Sequence, residues 1–272
     1  MSAQSHSRRI TVPDIRGKKG VQPIVSLTAY SALTARFVDP HADIILVGDS
    51  LAMVEHGMET TLGATLDLMI FHAQSVMRAS KRALVVVDLP FGSYEASPQD
   101  AYRSASRVLS QTGCSAVKLE GGAAMAPTVE FLTSRGVPVM GHIGLTPQSV
   151  MGTGGFKTQG RDRSTWEVIK QDAVTIENSG AFAIVLEGIV EPLARAITNM
   201  LKTPTIGIGA SSHCDGQILV LEDMLGFNPK VPRFVKKFGT IGDAVDKAIA
   251  EYAASVLDRS FPGLEHTYEP KD

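Results

Sequence analysis

Short apolar runs rich in β-branched residues recur along the chain. Each closes on a polar or charged residue followed by glycine, proline or a turn. The runs are PIVSLTAY from Pro23, ADIILVGDS from Ala42, ALVVVDLP from Ala83, SAVKLEGG from Ser115, VPVMGHIG from Val137, FAIVLEG from Phe182 and PTIGIGA from Pro204. They are apolar at nearly every position rather than at alternate ones, as parallel strands covered on both faces are. An eighth strand is expected near ILVLEDML, from Ile218. Helical periodicity fills the gaps. SPQDAYRSASRVLSQTG carries Ser97 as N-cap, Pro98 at the first helical position and Gly113 as the stop. TLDLMIFHAQSVMRAS from Thr65, APTVEFLTSRG closing at Gly136, RSTWEVIKQDAVTIENSG closing at Gly180, EPLARAITNMLK and GDAVDKAIAEYAASVLDRS read as further helices. Strand and helix alternate with no Gly/Ser/Pro-rich linker. The expected architecture is therefore α/β, a closed (β/α)8 TIM barrel. An open doubly wound sheet is the alternative, because local pattern does not count closure. No GxGxxG opens a helix after the first strand and no GxxxxGK motif is present, which weighs against nucleotide-binding folds.

The length of 272 residues suits one such barrel. The expected division is a flexible basic N-terminal tail over 1–20, a single catalytic barrel over 21–265 and a C-terminal tail over 266–272. The start, MSAQSHSRRI, lacks the apolar core of a secretory signal. Arg8, Arg9, Arg16, Lys18 and Lys19 stand there against Asp14 alone, a solvated basic tail in preference to a transit peptide. With 26 Lys and Arg against 28 Asp and Glu the formal charge is −2, so no basic field points to nucleic acid or an anionic membrane. No apolar run approaches the roughly 20 residues of a membrane span. Cys114 and Cys214 lie in no CxxC or zinc-type spacing and read as reduced thiols of a cytoplasmic protein.

In a barrel the carboxyl ends of the strands converge on one mouth, where chemistry sits. The polar residues at those ends are Asp49 and Ser50, Asp88, Lys118 and Glu120, His142, Glu187, then Ser211 and Ser212. Taken singly, each has an ordinary alternative. Asp49 and Asp88 could be turn residues, Lys118 and Glu120 a salt bridge, and His142 a satisfied core histidine. Taken together, four carboxylates sharing a low-dielectric mouth with one lysine and one histidine repel one another. A divalent cation relieves this, and all-oxygen ligation favours Mg2+ over Zn2+. A carboxylate ending an apolar strand, as Glu187 does, suits a general base. The Gly-rich polar stretch from Gly144 to Arg161 follows the strand bearing His142 and reads as a substrate-covering loop. No GxSxG elbow and no HExxH occur. Cys114 lies before its strand, on the wrong side for catalysis, and Cys214 beside His213 is a weak nucleophile candidate.

Several strings resemble the ketopantoate hydroxymethyltransferase family. They are VGDSL (from Val47), VDLPFGSY (from Val87), VKLEGG (from Val117), GHIGLTPQSV (from Gly141), TQGR (from Thr158), VLEG (from Val185), and IGIGA followed by DGQILV (from Asp215). They run in family order over roughly Gln22 to Phe238. The resemblance implies a barrel of the phosphoenolpyruvate/pyruvate superfamily. It implies transfer of a hydroxymethyl group from 5,10-methylenetetrahydrofolate to 3-methyl-2-oxobutanoate. The product is 2-dehydropantoate, for pantothenate and coenzyme A, made through a Mg-stabilised enolate. It also implies Mg2+ held at Asp49 and Asp88 with Glu120 at the metal. Substrate is held at Ser50, Asp88 and Lys118, Glu187 is the base, and the chain assembles as a homo-oligomer, commonly a decamer. His142 is a candidate for active-site support.

The sequence departs from the family pattern at Ala52, Met58, Gly63, Leu68 and Ser211, where the family usually has Gly, His, Pro, Glu and Gly. None of these touches the expected ligands or base. The alternative reading is another Mg-dependent 2-oxo acid lyase or mutase of the same superfamily that uses no folate. Such an enzyme ordinarily carries a cysteine-bearing catalytic loop, and GTGGFKTQGR has no cysteine. A non-catalytic barrel has no need to keep such mutually repelling charges.

Overall fold

Each apolar run becomes one strand of a closed barrel in the computed structural model, which describes residues 8–270. The strands are β1 (Ile24–Thr28), β2 (Ile44–Val47), β3 (Leu84–Asp88), β4 (Ala116–Glu120), β5 (Val139–Gly144), β6 (Ala183–Glu187), β7 (Thr205–Ile208) and β8 (Gly216–Leu219). All neighbouring pairs are parallel, and β8 returns to β1 with Ile24 beside Gly216 and Leu27 beside Leu219. Closure excludes the doubly wound alternative. The eighth strand begins earlier than its apolar run suggests and stops at Leu219. The residues LEDML that follow turn helical, with Glu222 and Asp223 in the first turn, where acidic side chains favour a helix N-terminus.

The helices are α1 (Val12–Arg16), α2 (Ala32–Val38), α3 (Leu51–Val54), α4 (Leu66–Ala79), α5 (Pro98–Thr112), α6 (Ala126–Thr133), α7 (Val150–Thr153), α8 (Trp166–Asn178), α9 (Glu191–Met200), α10 (Leu221–Leu225) and α11 (Ile241–Leu257). Local chemistry explains their ends. The Ser97 hydroxyl accepts the Asp100 N–H at 3.1 Å, and Gly113 stops α5 at φ 72° in the left-handed region. Thr65 caps α4 in the same manner, accepting from Leu68 N at 3.2 Å. Strands β2, β3 and β4 are buried at every position, which is why their runs show no alternation.

The stretch from residue 8 to residue 20 corrects the expectation of a flexible tail; residues 1–7 lie outside the described residues. Thr11 and Asp14 form a capping box for α1, and Ile15 is fully buried. Ile15 joins the apolar cluster inside the barrel with Ile24, Leu46, Met140, Phe182, Ile206 and Ile218. Three of the basic residues are anchored rather than solvated. Arg9 donates to the carbonyls of Ser80 and Ala83 at 2.6 Å each, Lys18 pairs with Asp43 at 2.8 Å, and Lys19 pairs with Asp215 at 2.7 Å. Charge density at the start of the chain hid one apolar anchor.

One compact unit, which holds the barrel, ends at Val220 and a second begins at Leu221, where a single barrel domain over 21–265 was expected. Within the second unit α11 has no buried residue. Ile241, Val245, Ile249, Tyr252 and Val256 recur on it at helical spacing, and all are exposed. The expected C-terminal tail from 266 follows a 3-10 turn, Leu264–His266, and residues 271 and 272 lie outside the described residues. No described helix is long and apolar enough to cross a membrane.

Candidate active site

The parallel register stacks the polar strand ends at one height. Asp88 pairs with Lys118, Glu120 with His142, and Gly144 with Glu187. Lys118 and Glu120, two apart on β4, project to the same face. Gly144 takes φ +97°, and a Cβ there would strike the Glu187 carbonyl, so glycine is what lets β5 close against β6. Asp49 and Ser50 sit on the turn after β2. A Cβ on Gly48 would come within 2.8 Å of the Ser50 hydroxyl, so the tight turn also needs its glycine.

The side chains form one connected group. Lys118 Nζ lies 2.9 Å from Asp88 Oδ1 and 3.1 Å from His142 Nδ1. An ammonium has no lone pair, so it donates to Nδ1, and the histidine proton sits on Nε2. That nitrogen lies 3.2 Å from Glu187 Oε2. Glu120 Oε1 is 3.5 Å from His142 Nδ1. The Asp49 N–H donates to Asp88 Oδ2 at 3.1 Å, joining the two aspartates. Ser50 Oγ and the Tyr30 hydroxyl are hydrogen-bonded at 2.8 Å.

Electrostatics follow from burial. Asp49 is pushed up to about 7 by burial and then by the negative charge of Asp88, against the pull of Lys118 and Gln148. Burial drives Glu120 well above the ordinary carboxylate range. Burial works against charge on Lys118, yet Asp88, Glu120 and Asp49 outweigh it and hold the ammonium protonated. Burial and the Lys118 charge lower His142 and keep its ring neutral. Four carboxylates thus share the mouth with a single cation. The side chain of Glu187 is 17% exposed, whereas those of Asp88, Lys118, Glu120 and His142 are 5% or less. Glu187 is the acid-base group that solvent or substrate reaches.

The donor set fits a hard divalent cation. Asp88 Oδ1 is buried with an ion-pair contact but no aligned hydrogen bond, and burial with the Asp88 charge raises Asp49, an effect a bound cation would offset. Asp49 and Asp88 are the pair that could hold it. Glu120 lies beside them, its Oε2 accepting the Gln148 N–H at 3.0 Å. Among the described residues no three His, Cys, Asp or Glu side chains converge as a ready-made cage, so waters or substrate oxygens would complete the shell.

Residues 9–264 match the profile of the ketopantoate hydroxymethyltransferase family. The chain belongs to this family. A 3-methyl-2-oxobutanoate hydroxymethyltransferase 2 of Zymomonas mobilis is 67% identical over 267 residues, covering 98% of each chain. The 3-methyl-2-oxobutanoate hydroxymethyltransferase of Parvibaculum lavamentivorans is 60% identical over 271 residues, covering 100% of this chain and 99% of its own. Among solved structures, a 2,3-dimethylmalate lyase of the PEP mutase/isocitrate lyase superfamily superposes with TM-score 0.60 at 17% identity, covering 95% of this chain and 91% of that one. A phosphonopyruvate hydrolase complexed with oxalate and Mg2+ gives TM-score 0.59 at 11% identity, covering 94% and 93%. The likeness shows the fold, a TIM barrel. Ketopantoate hydroxymethyltransferases are transferases of pantothenate biosynthesis, and this chain is one by family.

Not every strand-end residue joins the site. Ser211 donates its hydroxyl to Glu191 at 3.0 Å, on α9. Cys114 is a core thiol that burial pushes up, and Cys214 is buried beside Thr198 while His213 points to Glu191. Two participants carried no assigned role in the sequence. Tyr94 and Gln148 lie within the family strings VDLPFGSY and GHIGLTPQSV, and both are buried in the network. A polar residue that acts from a loop has no strand end to mark it. The departures at Met58 and Gly63 compensate each other. The Met58 thioether occupies the space where a Cβ on residue 63 would lie.

Proposed function

We propose that this hydroxymethyltransferase acts on 3-methyl-2-oxobutanoate, with 5,10-methylenetetrahydrofolate as one-carbon donor and 2-dehydropantoate as product. The observation that carries the reading is the buried mouth of four carboxylates and one ammonium in which Glu187 alone is accessible. Lys118 offers the positive charge that an anionic 2-oxo acid requires, and the Ser50 hydroxyl a hydrogen bond to its oxygens. Asp88 sets both, through its contact with Lys118 and with the Asp49 backbone beside Ser50. Asp49 and Asp88, with Glu120 in support, would hold Mg2+, which would supply Lewis-acid stabilisation for charge on a substrate ketone oxygen. Glu187 removes the proton from C3, the carbon attacks the folate methylene as one C–N bond electron pair returns to nitrogen, and water displaces the other nitrogen, leaving CH2OH and releasing tetrahydrofolate. His142, neutral and protonated on Nε2, faces the Glu187 carboxylate and orients it.

The two unpaired, buried cysteines support a reducing compartment, the cytoplasm. The exposed apolar stripe of α11 supports a homo-oligomer, a decamer on the family pattern. Small molecules are the other partners.

The test is deuterium exchange at C3 of 3-methyl-2-oxobutanoate by NMR, with Mg2+, in wild type and Glu187→Gln. Exchange that needs both Mg2+ and Glu187, followed by 2-dehydropantoate when the folate donor is added, is the expected result. Exchange without transfer would move the chain to a folate-independent 2-oxo acid enzyme. No exchange at all would remove Glu187 as the base.

A further inference from the structure

Gln148 contacts the ends of three strands although it belongs to none. It lies in the 3-10 turn Pro147–Ser149, after β5, and is buried. Its side-chain amide donates to Asp49 Oδ2 at 2.8 Å, beyond β2, and to the Leu89 carbonyl at 3.0 Å, beyond β3. Its backbone N–H donates to Glu120 Oε2 at 3.0 Å, at the end of β4. Its Oε1 accepts from the Tyr94 hydroxyl at 2.6 Å, and that hydroxyl in turn accepts the Glu120 N–H at 3.2 Å.

The amide has one orientation only. Asp49 Oδ2 and the Leu89 carbonyl are both acceptors, so both amide hydrogens must face them. A flipped amide would set Oε1 against two oxygens and the NH2 group against the Tyr94 proton. The amide's two hydrogens are both used, and its oxygen is held. This residue is thus a rigid strut between the carboxylates and the segment that runs on from it through α7 and the left-handed Gly154 and Gly155 to Arg161.

We infer that Gln148 is a positioning residue that links seating of the segment after β5 to the holding of a divalent cation at Asp49 and Asp88. The inference rests on the proposed cation placement. Gln148 fixes one oxygen of Asp49 and one of Glu120. A cation that draws on Asp49 therefore acts on the strut, and the strut acts on the segment. Linkage makes this reciprocal: whatever factor the seated segment adds to cation affinity, the cation adds to seating.

The experiment uses the full chain and Mg2+ alone. Mg2+ affinity is measured calorimetrically, and hydrogen exchange of residues 145–161 is followed with and without Mg2+, in wild type, Gln148→Met, Tyr94→Phe and Asp88→Asn. Gln148→Met keeps the length and apolar bulk of the side chain and loses the amide. It is expected to bind Mg2+ about 10–100-fold more weakly, the usual loss when a partner of a metal-holding carboxylate is removed. The slowing of exchange by Mg2+ over the segment is expected to vanish with it. A purely structural role would change exchange equally with and without Mg2+ and leave affinity within twofold; that result overturns the inference. If Asp88→Asn binds Mg2+ as wild type does, the cation placement itself falls, and the inference with it. Should Gln148→Met not fold, Tyr94→Phe decides. It leaves the amide in place without its hydroxyl partner, and wild-type affinity there overturns the strut.

Discussion

At its amino-terminal end the barrel is closed by Ile15, seated among Ile24, Met140, Phe182 and Ile206. At its carboxyl-terminal end the inward positions are Lys118, Glu120, His142 and Glu187. The same eight strands therefore carry an apolar seal at one end and a crowded set of charges at the other. The seal gains free energy by leaving water, about 1.5–3 kcal/mol for a residue such as Ile15. The charges lose hydration and recover part of it through Lys118, the Asp49 and Gln148 N–H groups, the Gln148 side-chain amide and whatever cation binds. One end is built for stability, and the other holds strain that chemistry can use.

The sharpest way to break this contrast is to remove the Lys118 ammonium from the mouth. Lys118→Met is expected to abolish turnover and to cost about 3–5 kcal/mol of stability, because Asp88 and Glu120 stay buried without their partner. Denaturant unfolding of wild type and variant checks it. Ile15→Ala works the other end. It should cost about 2–5 kcal/mol in the same unfolding measurement while turnover per folded molecule stays near wild type. A large loss of turnover there would mean that the two ends are not separable.

A third expectation concerns pH in Mg2+-free protein. Asp49 titrates at about 7 in the folded state against an ordinary 3.8, so between those values the folded form binds the extra proton. Stability is therefore greatest below pH 4 for this group and declines as pH rises toward 7, by on the order of a few kcal/mol. Mg2+ should flatten that decline by favouring the ionised carboxylate. Thermal melts across pH 5–8, with and without Mg2+, read it directly. The smallest effect is expected at Gly63→Ala, whose new methyl meets the Met58 thioether. It should cost about 1 kcal/mol, because the methionine is flexible enough to shift. Truncating Met58 to Ala as well should recover most of that loss.

The closed barrel was legible because most strands are buried on both faces, β2, β3 and β4 at every position, and so read as nearly unbroken apolar runs. The strand-end residues were legible for a related reason: Asp88, Glu120 and Glu187 each interrupt such a run at its last position. Gln148 and Tyr94 were not, since a neutral side chain in a polar loop stands out from nothing around it. Their role depends on contacts with residues 99 and 26 positions away. Ile15 was missed because the arginines and lysines around it gave the segment the composition of a tail. Each of Arg9, Lys18 and Lys19 has a partner far along the chain, which composition does not record. The eighth strand was placed late because LVLEDML is as apolar as a strand, and only its acidic first turn marks the helix.

The seating of α1 sets a schedule for synthesis. Ile15 leaves the ribosome early, but Phe182, Ile206 and Ile218, against which it packs, emerge more than 160 residues later. Lys19 likewise waits for Asp215, 196 positions on. At a translation rate of about 5–20 residues per second, the first segment stays without its partners for roughly ten seconds or more. During that interval the apolar interior has no cover at its amino-terminal end. A nascent chain halted before β8 is expected to leave residues 10–20 open to protease, and a released full chain to protect them. The last strand made is thus the one that lets the first residues settle.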